Sequence, residues 1–112
     1  MPEEITEETK KMVQDFQSYQ QQLQSVLVQR ESLKLHNIDI EKALEELGTT
    51  KQKIAYKITG TIMISKNIDE LKKELNENKE AIEVKIKSLE KTEEKITEKL
   101  KELQDKLKVI LK

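Results

Sequence analysis

Apolar residues recur at every seventh position in each half of the chain. Ile5, Met12, Tyr19, Val26, Leu33, Ile40 and Leu47 form one series, and Ile68, Leu75, Ile82, Leu89, Ile96, Leu103 and Ile110 form the other. A companion series lies between the members of the first: Thr9, Phe16, Leu23, Arg30, Asn37 and Leu44. Its counterpart in the second half is Leu71, Asn78, Lys85, Thr92, Lys99 and Lys106. Spacings that alternate between three and four are those of a coiled-coil seam. Members of the two halves pair so that their numbers always add to 115, as 47 and 68 or 5 and 110 do. The pattern therefore predicts one helical hairpin, antiparallel and in register, with both chain ends at a tip remote from the bend. This register puts Asn37 opposite Asn78, a polar pair that fixes alignment at a cost in stability. It also puts Arg30 opposite Lys85, which requires both to snorkel outward. Near the tip, Ile86, Leu100 and Leu107 fall beside the narrow seam. Either the helices splay there or the apolar stripe is three residues wide.

The first helix is predicted over residues 3–47. Pro2 and the glutamates after it suit a first turn, and Gly48 is a natural stop. At 1.5 Å per residue the helix would be roughly 65 Å long. The second is predicted over 68–111, with Asn67 and Glu70 as a variant capping box. About 20 residues join them, too many to be structureless. Within them Ile54 to Ile58 and Thr61 to Ile64 read as strands, and Thr59-Gly60 as the two-residue turn of a β-hairpin over 54–64. One face then carries Ile54, Tyr56, Ile58 and Met63, and the other Ile62 and Ile64. A two-stranded hairpin is marginal in water, and its open edges invite further pairing. Apolar on both sides, it either joins hairpins of other chains in a shared sheet or folds down onto the helix ends. Val28, Leu35 and Ile38, a second apolar strip on the first helix, would support either arrangement. The two-sided apolarity favours assembly.

Composition agrees with an extended coiled coil and not with a compact globule. Of the 112 residues, 35% are hydrophobic and 38% charged, and mean hydropathy is -0.75. Sustained periodicity separates this chain from a disordered one of similar charge. The fold class is mainly α: a long antiparallel two-helix coiled coil with a β-hairpin at the connection, read as a single domain over 1–112. The net charge of -1 is unevenly spread: residues 1–47 hold ten acids and five bases, whereas residues 48–67 hold four lysines and no acid. No long basic stripe is present, so nucleic acid is not an expected partner. No apolar run is long enough to span a bilayer, and the acidic first residues are unlike a secretion signal. The absence of cysteine agrees with a reducing compartment, and a cytoplasmic location is expected.

Catalytic chemistry has no candidate residues. His36 is the only histidine and reads as a surface residue of the first helix. The many carboxylates read as solvated faces with i,i+4 partners. Phosphate-loop, dinucleotide and metal-ligand spacings are all missing. No enzymatic activity and no cofactor are expected. Seven glutamines between Gln14 and Gln29 are interrupted by apolar residues at heptad spacing, so they read as the polar face of a helix.

Several segments together are similar to one family. Phe16-Gln17-Ser18-Tyr19-Gln20-Gln21-Gln22-Leu23-Gln24-Ser25-Val26-Leu27 resembles the first helix of the prefoldin β subunit, archaeal type, and Ala43-Leu44-Glu45-Glu46-Leu47 resembles that helix's end. Tyr56-Lys57-Ile58-Thr59-Gly60-Thr61-Ile62-Met63-Ile64 resembles the family's hairpin, and the run from Leu89 to Gln104 its second helix. A single hairpin is the mark of the β type; the α type has two. The resemblance implies an ATP-independent molecular chaperone. Two α and four β subunits would join hairpins into a β-barrel platform, with six coiled-coil arms whose tips hold non-native proteins and pass them to a group II chaperonin. It assigns assembly to Ile54, Tyr56, Ile58, Ile62, Met63 and Ile64. Client contact would fall to apolar tip residues, Ile5, Met12, Val13 and Phe16 on one helix and Leu107, Val109, Ile110 and Leu111 on the other. Ile5, Met12 and Ile110 stand in the seam, whereas Val13, Val109 and Leu111 stand outside it. Without the resemblance, the same periodicity fits a structural spacer or adapter with one fixed partner.

Overall fold

The computed structural model describes residues 6–110. Their order is helix α1 (Glu7–Thr49), strand β1 (Ile54–Thr59), strand β2 (Ile62–Asn67) and helix α2 (Ile68–Ile110). They divide into two units: Met1–Glu31 with Lys87–Lys112, and Ser32–Ile86. Each helix contributes to both.

Local chemistry sets the boundaries. Thr6 caps α1: its Oγ1 accepts a bond from the Thr9 amide at 3.1 Å, and Glu7 and Glu8 then stand at the positive end of the helix dipole. The described helix thus begins at Glu7. The expected start at residue 3, with Pro2, Glu3 and Glu4, lies outside the described residues. At the other end α1 runs through Gly48 instead of stopping before it. Gly48 does not take a positive φ, the Thr50 amide still reaches the Glu46 carbonyl at 3.1 Å, and the Thr49 hydroxyl donates to that same carbonyl at 3.2 Å. A continued hydrogen-bond ladder here takes the place of a left-handed cap. Asn67 caps α2 as its position suggests, its Oδ1 accepting from the amides of Asp69 at 2.8 Å and Glu70 at 3.4 Å.

In the first unit, Val26, Leu89 and Ile96 are buried together with Thr9. The helices run antiparallel there: Arg30 bonds Glu93, while Phe16, well before it, shares a groove with Leu107. In the second unit Ile40, Ile68, Leu71 and Ile86 are buried. Glu41 lies 3.6 Å from Lys79, and Leu47 shares a cleft with Ile68 and Lys72, again an antiparallel order. Among the described residues no large side chain is completely enclosed, as expected where two helices have only each other to cover them.

The seam differs from the expected one in two ways. Cross-helix partners lie about one heptad further along α2 than numbers adding to 115 require. Arg30 meets Glu93, not Lys85, and Glu41 meets Lys79. The companion series on α2 also moves by one position. Asn78, Lys85, Thr92, Lys99 and Lys106 are exposed, while Ile86 is buried and Lys79, Glu93, Leu100 and Leu107 are half-buried. The spacing Leu71, Leu75, Lys79 repeats four instead of alternating, and a stutter of this kind turns the stripe around the helix. It resolves the residues that a strict heptad left aside: Ile86, Leu100 and Leu107 join the covered stripe. The Arg30–Lys85 conflict disappears because Arg30 meets an acid. The Asn37–Asn78 pair is not formed; Asn78 is exposed, and the buried Oδ1 of Asn37 has no protein partner.

The hairpin register is also displaced, by two residues. Thr59 pairs with Ile62 and Ile58 with Met63, leaving Gly60-Thr61 as the turn. Gly60 has φ 61° and no other described residue has positive φ. This is the arrangement of a type II′ turn, which puts glycine first of the two central residues. Thr59-Gly60 would put a threonine in that position. An even displacement keeps each side chain on its expected face.

The two glycines should respond in opposite directions to alanine. Gly48→Ala replaces a helical glycine with open space around it and should stabilise by about 0.5–1 kcal/mol. Gly60→Ala forces an L side chain to positive φ and should destabilise by about 1–2 kcal/mol. Urea denaturation followed by circular dichroism measures both; shifts of the same sign would contradict these backbone assignments.

Candidate functional site: the hairpin and the helix ends

Exposed apolar side chains cluster in two regions, and the strip of Val28, Leu35 and Ile38 on α1 and Val84 on α2 are exposed as well. The first region is the hairpin in the second unit. Alternation along each strand, with the observed register, puts Ile54, Tyr56, Ile58, Met63, Ser65 and Asn67 on one face. Ile54, Tyr56, Ile58 and Met63 are all well exposed, Tyr56 at 66% and Ile58 at 71%. The opposite face carries Ala55, Lys57, Thr59, Ile62, Ile64 and Lys66. Ile62 and Ile64 are exposed on it, but Ala55, Lys57 and Lys66 are half-buried. All six residues expected for assembly are therefore brought together on one small sheet and left open to solvent. The sheet has two strands, so both outer edges hold unpaired backbone groups.

What covers the lysines is a carboxylate. Glu74 of α2 accepts a hydrogen bond from the ammonium of Lys57 on β1 and another, at 2.8 Å, from that of Lys66 on β2. These bonds, the one from Lys57 foremost, hold the Glu74 carboxyl down at about 2 from an ordinary 4.5. Sequence reasoning did not single out Glu74. The signal for it was present nonetheless: a 20-residue connection with four lysines and no acid has to find its counter-charge elsewhere.

The second region is where the helices end in the first unit. Phe16, Gln104, Leu107 and Lys108 line an open, mainly apolar groove of about 420 Å³. Met12 and Val13, one turn away on α1, are half-buried. Val109 is 76% exposed and Ile110 38%. The expected division between seam and exterior is thus altered. Ile110 is exposed although it stands in the heptad series, and Val13 is partly covered although it stands outside. Ile5 and Leu111 lie outside the described residues.

Other candidate chemistry is sparse. His36 is exposed. Among the described residues no group of His, Cys, Asp or Glu is arranged to hold a metal, and no helix is long and apolar enough to cross a membrane. The Arg30–Glu93 pair, with Arg30 one-fifth exposed, is a seam contact and not a pocket.

Long paired helices joined by an exposed β-hairpin define a class of coiled-coil subunit whose surfaces suit association with other chains. Comparison with known proteins narrows this class. The Prefoldin subunit family matches residues 10–112. A prefoldin subunit beta of Archaeoglobus fulgidus is 38% identical over 109 residues, covering 96% of this chain and 94% of the relative. One of Thermococcus onnurineus is 34% identical with the same two shares. The crystal structure of the prefoldin beta subunit from Thermococcus strain KS-1 superposes with a TM-score of 0.85 at 34% identity, covering 99% of this chain and 98% of that one. The chain belongs to the prefoldin family, and the relatives it resembles are β subunits. The family is one of non-enzymatic chaperone subunits that form hetero-oligomers with other prefoldin subunits.

The Glu74 bonds should give a recognisable pH dependence. Its folded-state pKa is depressed, so its contribution is present above the ordinary carboxylate value. That contribution fades as pH falls from about 4.5 to about 2. Denaturation of the parent chain and of Glu74→Gln, compared at a series of pH values, isolates this group from the other carboxylates. The difference between the two should be constant above pH 5 and close in the acid window. A difference that persists unchanged at pH 2 would show that the bonds are not ionic.

Proposed function

We propose that this chain is the β-type subunit of an ATP-independent holding chaperone. The observation that carries the reading is the hairpin, apolar and exposed on both faces with two unpaired edges, in a chain of the prefoldin family. Such a sheet gains most by adding strands from other subunits, which covers its faces and satisfies its edges together. In this reading two α and four β subunits join their hairpins as a barrel, and non-native proteins are held by apolar side chains at the helix ends. Phe16, Leu107, Val109 and Ile110 are the described residues best placed for that contact, with Met12 and Val13 beside them. A groove lined by an aromatic ring and aliphatic side chains takes up exposed apolar segments without reading their sequence. Ile5 and Leu111 belong to the same proposal through their position in the chain. Release to a group II chaperonin follows, in the cytoplasm, with no nucleotide required because holding consumes no chemical step.

The test is reconstitution with a prefoldin α subunit and a chemically denatured client. The complex should suppress aggregation of the client in the absence of nucleotide. Leu107→Asp with Val109→Asp should weaken suppression at least several-fold and leave the mass of the complex unchanged. Ile58→Asp with Ile62→Asp should prevent assembly while the circular dichroism of the helices is retained. An assembled complex that never slows aggregation would favour a spacer or adapter instead.

A further inference from the structure

The hairpin is apolar on both sides, yet its two faces are not equivalent. One is entirely free. The other carries Lys57 and Lys66, one from each strand, and both ammonium groups converge on Glu74. A single carboxylate therefore ties both strands to α2. The three side chains are one-third exposed, between 30% and 37%, so the bonds are partly shielded from water. A covalent path also leads from the hairpin to α2, since β2 ends at Asn67 and the helix starts at Ile68. A path of that kind leaves the sheet free to swing about one peptide. A second backbone link, the Ile68 amide donating to the Lys53 carbonyl at 3.0 Å, ties down the base of β1. Neither link reaches the middle of the sheet, where Lys57 lies opposite Ile64. The Glu74 bonds do.

We propose that Glu74 is a positioning residue for subunit assembly. By gripping one lysine from each strand it turns the lysine-bearing face toward the chain's own helix, with Ile62 and Ile64 still exposed on it. Ile54, Tyr56, Ile58 and Met63 are then the face offered to hairpins of neighbouring subunits. The occupant is a hairpin of another subunit of the same family, because the free face is flanked by two unpaired strand edges that are a ready template for further strands. A sheet held at one tilt loses less orientational freedom on joining others than one that swings. This inference rests on the reading of the hairpin as the assembly surface.

The chain has no cysteine, so spin labels can be placed singly. Thr61→Cys in the turn and Glu80→Cys on α2, both exposed, report the hairpin's tilt as a distance within the second unit. The parent chain should give one narrow distribution and Glu74→Gln a broad one. With a prefoldin α subunit, Glu74→Gln should raise the dissociation constant for assembly by about tenfold, the order expected for losing two charge-assisted bonds between partly exposed groups. The inverted triple variant Lys57→Glu, Lys66→Glu, Glu74→Lys should restore both the narrow distribution and the affinity, which a role in packing alone would not allow. An unchanged distribution in Glu74→Gln overturns the proposal, as does a broadened one with parental affinity. If the parent chain fails to join the α subunit, the assembly reading fails instead, and the distances still decide whether Glu74 holds the sheet.

Discussion

A two-stranded sheet has two faces and two edges, and a chain this short in apolar residues can cover few of them. That constraint governs the molecule. Each helix turns its main stripe to the other, and the remaining apolar residues of the helices, Val28, Leu35, Ile38 and Val84, stay exposed. None of this surface covers Ile54, Tyr56, Ile58, Ile62, Met63 and Ile64, which stay exposed as well. Alternating exposure in a solvated sheet would put polar groups on the outer face, and here both faces are apolar. An unpaired, doubly apolar ribbon is a poor structure for a solitary chain and a good one for a shared sheet. The same residues that make the hairpin costly alone make it adhesive in company.

The helices work under the opposite condition. Their stripe is narrow and is interrupted by Arg30, Asn37, Lys79 and Glu93. A buried or half-buried ion contributes little net stability, but removing its partner is costly. Arg30 and Glu93 therefore favour one alignment of α1 and α2 over a neighbouring one, in which Arg30 would meet a lysine. Apolar side chains of similar shape tolerate sliding, and charges of opposite sign do not. The polar interruptions thus limit stability while selecting a register.

Much of this architecture is legible from residue spacing. The two helices, the hairpin between them and both faces of that hairpin follow from heptads and alternation. The register does not. Leu, Ile and Val repeat so regularly that a shift of one heptad leaves every apolar contact plausible, and only the charges of Arg30 and Glu93 distinguish the alternatives. The stutter at Leu71, Leu75 and Lys79 was hidden because Lys79 is a residue normally assigned to solvent. Gly48 looked like a terminator because its identity is more conspicuous than the continuing ladder from Glu46. The turn was displaced because Gly60 fits either central position until its neighbour is considered, and Thr61 accepts negative φ more readily than Thr59 would accept positive. The exposed apolar residues of the hairpin were recognisable from their own chemistry. Glu74 was not, since a glutamate in a helix full of glutamates is distinguished only by what it touches.

Exposure of apolar groups carries a different meaning in the two regions. On the hairpin the exposed apolar residues, Met63 apart, are β-branched or aromatic and stand on a backbone with fixed register. Such a surface selects a partner that can continue its hydrogen-bond ladder. Near the helix ends the exposed residues project from α-helices, which present no strand edge. Val109 and Ile110 have nothing to offer but apolar area, and Phe16 and Leu107 border a groove open to solvent. Contact there cannot be specific in the way a ladder is, and it need not be. A fixed partner requires directional bonds, whereas a client without a native structure presents only what it failed to bury. In the proposed reading one chain meets both demands because open strand edges accompany its apolar surface in one region and not in the other.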